Sequence, residues 1–166
     1  MRSLLTVSLL VLAGCATVAS PSASSPSSTT EAVTHAAVAV KADQVLASLT
    51  RGPCNGACPT YSVRVMGDGA VEFDGQRFTN TKGRAVDRLT AQQLGQLEEA
   101  FSTAGFDAMQ ASYRDPHVAD EAIVTVTHAG KTVTHSTGDA QPALKALEDR
   151  LDAVIGTGRW VVGPTM

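Results

Sequence analysis

Two cysteines stand four residues apart in Pro53-Cys54-Asn55-Gly56-Ala57-Cys58-Pro59-Thr60-Tyr61, with glycine between them and a proline on each flank. That spacing permits three chemistries. The thiols can close a disulfide over a loop of about five residues, worth roughly 2 kcal/mol in the chain-entropy account. As thiolates they can hold a soft metal such as copper, with imidazole completing the set; His117, His128 and His135 are the candidates. They can also exchange with other thiols, which calls for cationic or helix-terminal activation, and only Arg51 lies close in sequence. A second cluster falls in Tyr113-Arg114-Asp115-Pro116-His117-Val118-Ala119-Asp120-Glu121. There Asp115, His117, Asp120 and Glu121 form either a cation- or partner-binding loop or a solvated connection whose path Pro116 sets.

The compartment bears on the choice. Arg2 supplies a short positive region, and Leu4 to Gly14 is an apolar run too short to span a bilayer, as in a signal peptide. Its end, Leu12-Ala13-Gly14-Cys15, resembles a bacterial lipobox. The resemblance implies cleavage before Cys15, acylation of that cysteine, and attachment of the protein to a membrane through its lipid anchor. Ala16 in place of Asp is permissive for the outer membrane, facing the periplasm, where the source has one. With Cys15 acylated, Cys54 and Cys58 remain as an even pair in an oxidising compartment, which favours the disulfide. The run C-x-x-x-C-P is also similar to the motif of Sco-type copper chaperones, which implies two thiolates and a distant histidine around copper. That motif sits between a strand and a helix, whereas here Tyr61 to Met66 reads as the start of a hairpin. Metal handling and thiol exchange stay as the alternatives.

The elements that must position these residues divide the chain in three. Residues 1–14 form the signal peptide. Residues 15–41 form the lipidated N-terminus and a tether, rich in Ala, Ser, Pro and Thr, that has too little apolar surface to order itself. Residues 42–166 form one domain. Gln44 to Thr50 reads as a strand with Val45, Ala47 and Leu49 on one face. Gly67-Asp68-Gly69 predicts a three-residue hairpin loop pairing Val65 with Val71, Arg64 with Glu72 and Val63 with Phe73, with Gly69 left-handed. Leu89 to Phe106 reads as a helix with a Thr90–Gln93 capping box, a stripe of Leu94, Leu97 and Phe101, and Gly105 as its stop. Gly130-Lys131 predicts a second two-residue turn, pairing His128 with Val133, Val126 with His135 and Val124 with Thr137. In that register His128 and His135 are diagonal neighbours, about 7–8 Å apart, close enough to share an ion. A last helix starts near Asp139 as cap and Pro142, carries Leu144, Leu147, Leu151 and Ile155, and stops at Gly156. Trp160 is expected to pack back onto the core. The order strand, hairpin, helix, hairpin, helix predicts an α+β fold, an antiparallel sheet of about five strands with two helices packed on one face.

Thirteen Lys and Arg are scattered singly in a chain of net charge -3, which lacks the basic stripe and stacking aromatics of a nucleic-acid binder. No nucleophile elbow, phosphate loop, zinc helix or dinucleotide fingerprint occurs, so no catalytic residue and no cofactor is expected. Gly52-Pro53-Cys54-Asn55-Gly56-Ala57-Cys58-Pro59-Thr60-Tyr61, followed by Ser62-Val63 and the Gly67-Asp68-Gly69 turn, resembles a family of bacterial envelope domains of unknown function. The hallmark of that family resembles P-C-F-G-x-C-P-x-Y, and its members are often small lipoproteins. The resemblance runs from about residue 43 to 161 and takes in Asp120 and Arg159-Trp160; Asn55 stands where the family has an aromatic. It implies a Cys54–Cys58 pairing and no mechanism. The expected protein is a monomeric, non-catalytic envelope lipoprotein whose domain binds or supports another envelope or secreted protein.

Overall fold

The computed structural model describes residues 41–161 apart from 116 and 119; the expected signal peptide, Cys15 and all but the last residue of the expected tether lie outside the described residues. Four strands run in succession: β1 (Val45–Arg51), β2 (Thr60–Met66), β3 (Ala70–Arg77) and β4 (Gly83–Arg88). Helix α1 (Ala91–Ala104) follows, then the short β5 (Ser112–Tyr113), β6 (Ile123–His128), β7 (Lys131–Ser136) and helix α2 (Pro142–Ile155). They form one sheet in the order β4-β3-β2-β1-β6-β7-β5. Every pairing is antiparallel except β5 with β7.

The α+β architecture matches the expectation, but the sheet has seven strands rather than about five and is mixed. The extra strands carry little periodic signal. β4, GRAVDR, is an edge strand with Val86 68% exposed, so no apolar alternation marks it. β5 is two residues long.

The β2–β3 hairpin has the expected register, with Val63 opposite Phe73, Arg64 opposite Glu72 and Val65 opposite Val71, and Gly69 sits at φ 85°. In the β6–β7 hairpin the turn is instead Ala129-Gly130, at φ 47° and 88°, and the register differs by two. His128 faces Lys131, Val126 faces Val133, and Val124 faces His135. A turn left-handed at both central positions matches strand twist, and this register opposes valine to valine and threonine to threonine. A slip of two keeps each side chain on its face, so the core is unchanged. It places His135 opposite Val124, four positions along the ladder from His128 and about 13 Å away along the strands, so they are not diagonal neighbours.

Two smaller expectations are also corrected. An irregularity between Val45 and Ala47 turns Val45 outward, 37% exposed, and brings Leu46 into the core. The cap of α2 is Gln141, with Pro142 in the first turn, and not Asp139. Asp139 closes a 3-10 turn, Thr137–Asp139, where its carboxylate accepts the backbone N–H of Asp115 at 2.8 Å. By contrast, α1 has its Thr90–Gln93 capping box and ends at left-handed Gly105.

The inner face of the sheet and the apolar stripes of both helices make one core. Phe73 lies at its centre, Trp160 stacks on it at 4.9 Å between centroids, and Tyr61 lies 5.4 Å away. Lys41 to Gln44 run beside the β2–β3 turn, where the Gly67 N–H donates to the Gln44 carbonyl. The chain therefore enters β1 at the end of the sheet opposite Arg51.

Gly75 permits a close crossing. A Cβ there would collide with the Thr81 carbonyl oxygen and crowd Thr79 Oγ1 and Phe73. Because the first obstacle is backbone, Gly75→Ala should destabilise the protein by about 3 kcal/mol. Gly95, inside α1 with nothing near its Cβ position, gives the opposite sign: Gly95→Ala should stabilise by up to about 1 kcal/mol. Urea unfolding of the two variants checks both signs, and a neutral Gly75→Ala would contradict the packing described.

Candidate functional site

At the Arg51 end of the sheet three inward-facing polar residues meet α2. Arg51 and Tyr61 are cross-strand partners on β1 and β2, and His135 lies on β7. The α2 stripe of Leu144, Leu147, Leu151 and Ile155 is buried as expected, but Glu148 is buried with it, at 1% exposure. Its position explains why: four residues after Leu144 and three before Leu151, it points the same way as they do.

A buried carboxylate is tolerated only when it is paired and hydrogen-bonded. Glu148 Oε2 accepts from Arg51 Nη1 at 2.8 Å, and Oε1 lies 2.5 Å from His135 Nε2. Arg51 also donates from Nη2 to Asp152 at 2.9 Å and from Nε to the Tyr61 hydroxyl at 2.9 Å. Tyr61 donates to Asp152 Oδ1, which also accepts from Thr157 Oγ1 at 2.6 Å. His135 Nδ1 lies 2.7 Å from the Ser136 carbonyl oxygen, so Nδ1 must be the donor there. With an acceptor at each nitrogen, the imidazolium suits the site best.

The electrostatics follow. Burial alone would lower the pKa of His135, but the hydrogen bonds to Glu148 and Ser136 and the charge of Glu148 outweigh it and raise the value above 6.5. Burial likewise opposes the Arg51 charge, and Tyr61, Asp152 and Glu148 more than restore it, so the guanidinium stays charged. Burial pushes the Tyr61 phenol up to about 12, against the pull of Arg51.

Beside this cluster a groove of about 1010 Å³ opens between the Cys54–Cys58 loop and the C-terminal half of α2. Ala57, Cys58 and Pro59 form one wall, Ala153 and Gly156 lie on the other, and Tyr61 with Asp152 lines the floor. Phe78, at the mouth, is 41% exposed and held at φ 52°. A bulky residue in that left-handed region costs about 1–3 kcal/mol, which the surroundings must offset. Arg77 stacks over its ring at 5.2 Å.

The structure brings together only some of the residues singled out from sequence. Cys54 and Cys58 form a disulfide, Cα atoms 5.7 Å apart, in the bend between β1 and β2. The bend is tied to the start of β6 and the segment before it, since Gly52 N–H donates to the Ile123 carbonyl and Asn55 N–H to the Asp120 carbonyl. His128 and His135 are engaged separately: His128 stacks on Phe101 at 4.0 Å, with Nε2 3.1 Å from Glu98. In the acidic loop, Asp115 accepts the His117 N–H and Glu121 accepts the Gly138 N–H, both at 2.8 Å. Among the described residues no three His, Cys, Asp or Glu side chains are grouped to hold a metal ion. The Arg51–Glu148–His135–Asp152 network was missed from sequence, and the available signal was a glutamate within an apolar helical stripe.

The sheet, the two helices and the stapled bend define a small α+β domain with a buried ion network. A family model described as a domain of unknown function (DUF6438) matches residues 45–155, from the first residue of β1 to the last of α2. The chain belongs to that family. No curated protein matches it.

Arg51→Met should cost about 3 kcal/mol, because it removes the cation shared by buried Glu148 and partly exposed Asp152; urea unfolding measures it. The raised His135 pKa fixes a second outcome. Its stabilising contribution is complete below the unfolded value of 6.5 and is lost as pH rises through the higher folded value. Unfolding free energy should therefore fall above about pH 6.5, and His135→Gln, which keeps a donor for Glu148, should remove that fall. An unchanged slope in the variant would contradict the assignment.

Proposed function

We propose that the protein is an envelope lipoprotein, anchored through acylated Cys15, whose domain binds rather than catalyses, with the groove beside the disulfide loop as its binding surface. The observation that carries this reading is the contrast between the cluster and the groove. Among the described residues, Arg51, Tyr61, Asp152 and Thr157, the polar side chains on the groove floor, are hydrogen-bonded within one network that Arg51 extends to Glu148, so they serve to hold the floor in place. The groove itself is apolar, walled by a covalently stapled loop, with a strained, exposed phenylalanine at its mouth, which is the anatomy of a preformed binding site.

Cys58 on the groove wall is the one feature that favours the second reading, thiol exchange or copper handling through Cys54 and Cys58. Thiol titration before and after mild reductant, with metal analysis, separates the two. A resistant disulfide without metal supports binding, whereas a readily exchanged pair or stoichiometric copper would overturn it. For the anchor, Cys15→Ser should abolish incorporation of labelled palmitate. Label retained in that variant would exclude Cys15 as the acylated residue.

A further inference from the structure

The groove also carries information about what it takes. None of its edges is a free sheet edge, since β4 and β5 form the edges of the sheet and neither lines it. An extended peptide would bring one donor and one acceptor per residue, and these would find few partners here. A ligand that fits must be mostly apolar. At about 1010 Å³ the groove stands at the upper end of small-molecule sites, which run to about 1,000 Å³.

The charges on its lining are unbalanced. Arg51 and Asp152 neutralise each other, which leaves Lys145 and Arg159 as the charges facing the opening. Both are about half exposed, and their partners, Asp149 and Asp87, do not line the groove. Exposed pairs of this kind are weak, so Lys145 can turn to a ligand at little cost, whereas Arg159 would receive one where it stands. Arg159 is further held in place by stacking over the Trp160 ring at 4.1 Å and by a bond to the Ile155 carbonyl.

We infer that the groove binds a single-chain anionic amphiphile of the long-chain fatty-acid type, with hydrocarbon against Ala57, Pro59, Phe78 and Ala153 and the carboxylate at Lys145 and Arg159. This rests on the reading of the groove as a binding surface and adds the class of ligand. Apolar contact supplies the attraction, and the two cations select the head group.

The test uses the full chain in its own membranes and two photoreactive probes with the same diazirine-bearing hexadecyl chain. One ends in carboxylate and the other in trimethylammonium. After irradiation, labelled peptides are mapped by mass spectrometry. The carboxylate probe should label residues of the groove, excess dodecanoate should compete it away, and the ammonium probe should label the groove at least tenfold less. Lys145→Glu should reduce labelling by the carboxylate probe about tenfold, the equivalent of one charge-assisted hydrogen bond. A chain ending at Val161 should keep the charge preference. Equal labelling by the two probes would overturn the head-group inference and leave the groove a binding surface for apolar chains. No groove labelling by either probe would overturn the inference and remove the support it lends to the binding reading.

Discussion

The structure turns on one buried carboxylate. Glu148 occupies a position on α2 that geometry assigns to the core, and a charge there is tolerable only if opposite charges are brought to it. The sheet brings two, Arg51 from β1 and His135 from β7, from strands separated by β6. The helix is thereby fixed against the sheet in position along its axis as well as by its apolar stripe. A stripe of leucines alone tolerates small slides and rotations, whereas hydrogen bonds at 2.5 and 2.8 Å to two different strands do not.

That fixity extends to the groove. Arg51 passes the constraint to Asp152 one turn further along α2, and Asp152 binds Tyr61 and Thr157, so floor and far wall are held by one network. The near wall is held differently. The bend between β1 and β2 has a disulfide across it and one backbone hydrogen bond each to the first residue of β6 and to the segment before it. One wall is set by charge pairing and the other by covalent and backbone ties, so loss of the His135 charge at high pH would loosen the first and reduction the second.

Much of the fold was legible in the sequence because its local signals agree with one another. The β2–β3 hairpin was readable because its turn residues, its alternating valines and its Arg64–Glu72 pair all select one register. The second hairpin was ambiguous by two residues, since Gly130 fits either of two tight turns and both keep the same residues inside. β4 was invisible because an edge strand solvated on both sides shows no period. The ion network was hidden for another reason: its members come from β1, β2, β7 and α2, far apart in sequence, and only the sheet order reveals that they converge. A glutamate inside an apolar stripe says that a cation must exist elsewhere without saying which.

β1 lies in the interior of the sheet, with antiparallel ladders to β2 on one side and β6 on the other, and the chain enters it at the end opposite the groove. In the proposed arrangement, load applied at Lys41 and resisted at the groove would therefore run along the axis of β1. In antiparallel ladders the hydrogen bonds lie across the strand, so such a pull shears both ladders together and does not peel them open bond by bond. Under the proposed anchoring and binding, the domain would bear tension in the direction in which its central strand is hardest to extract.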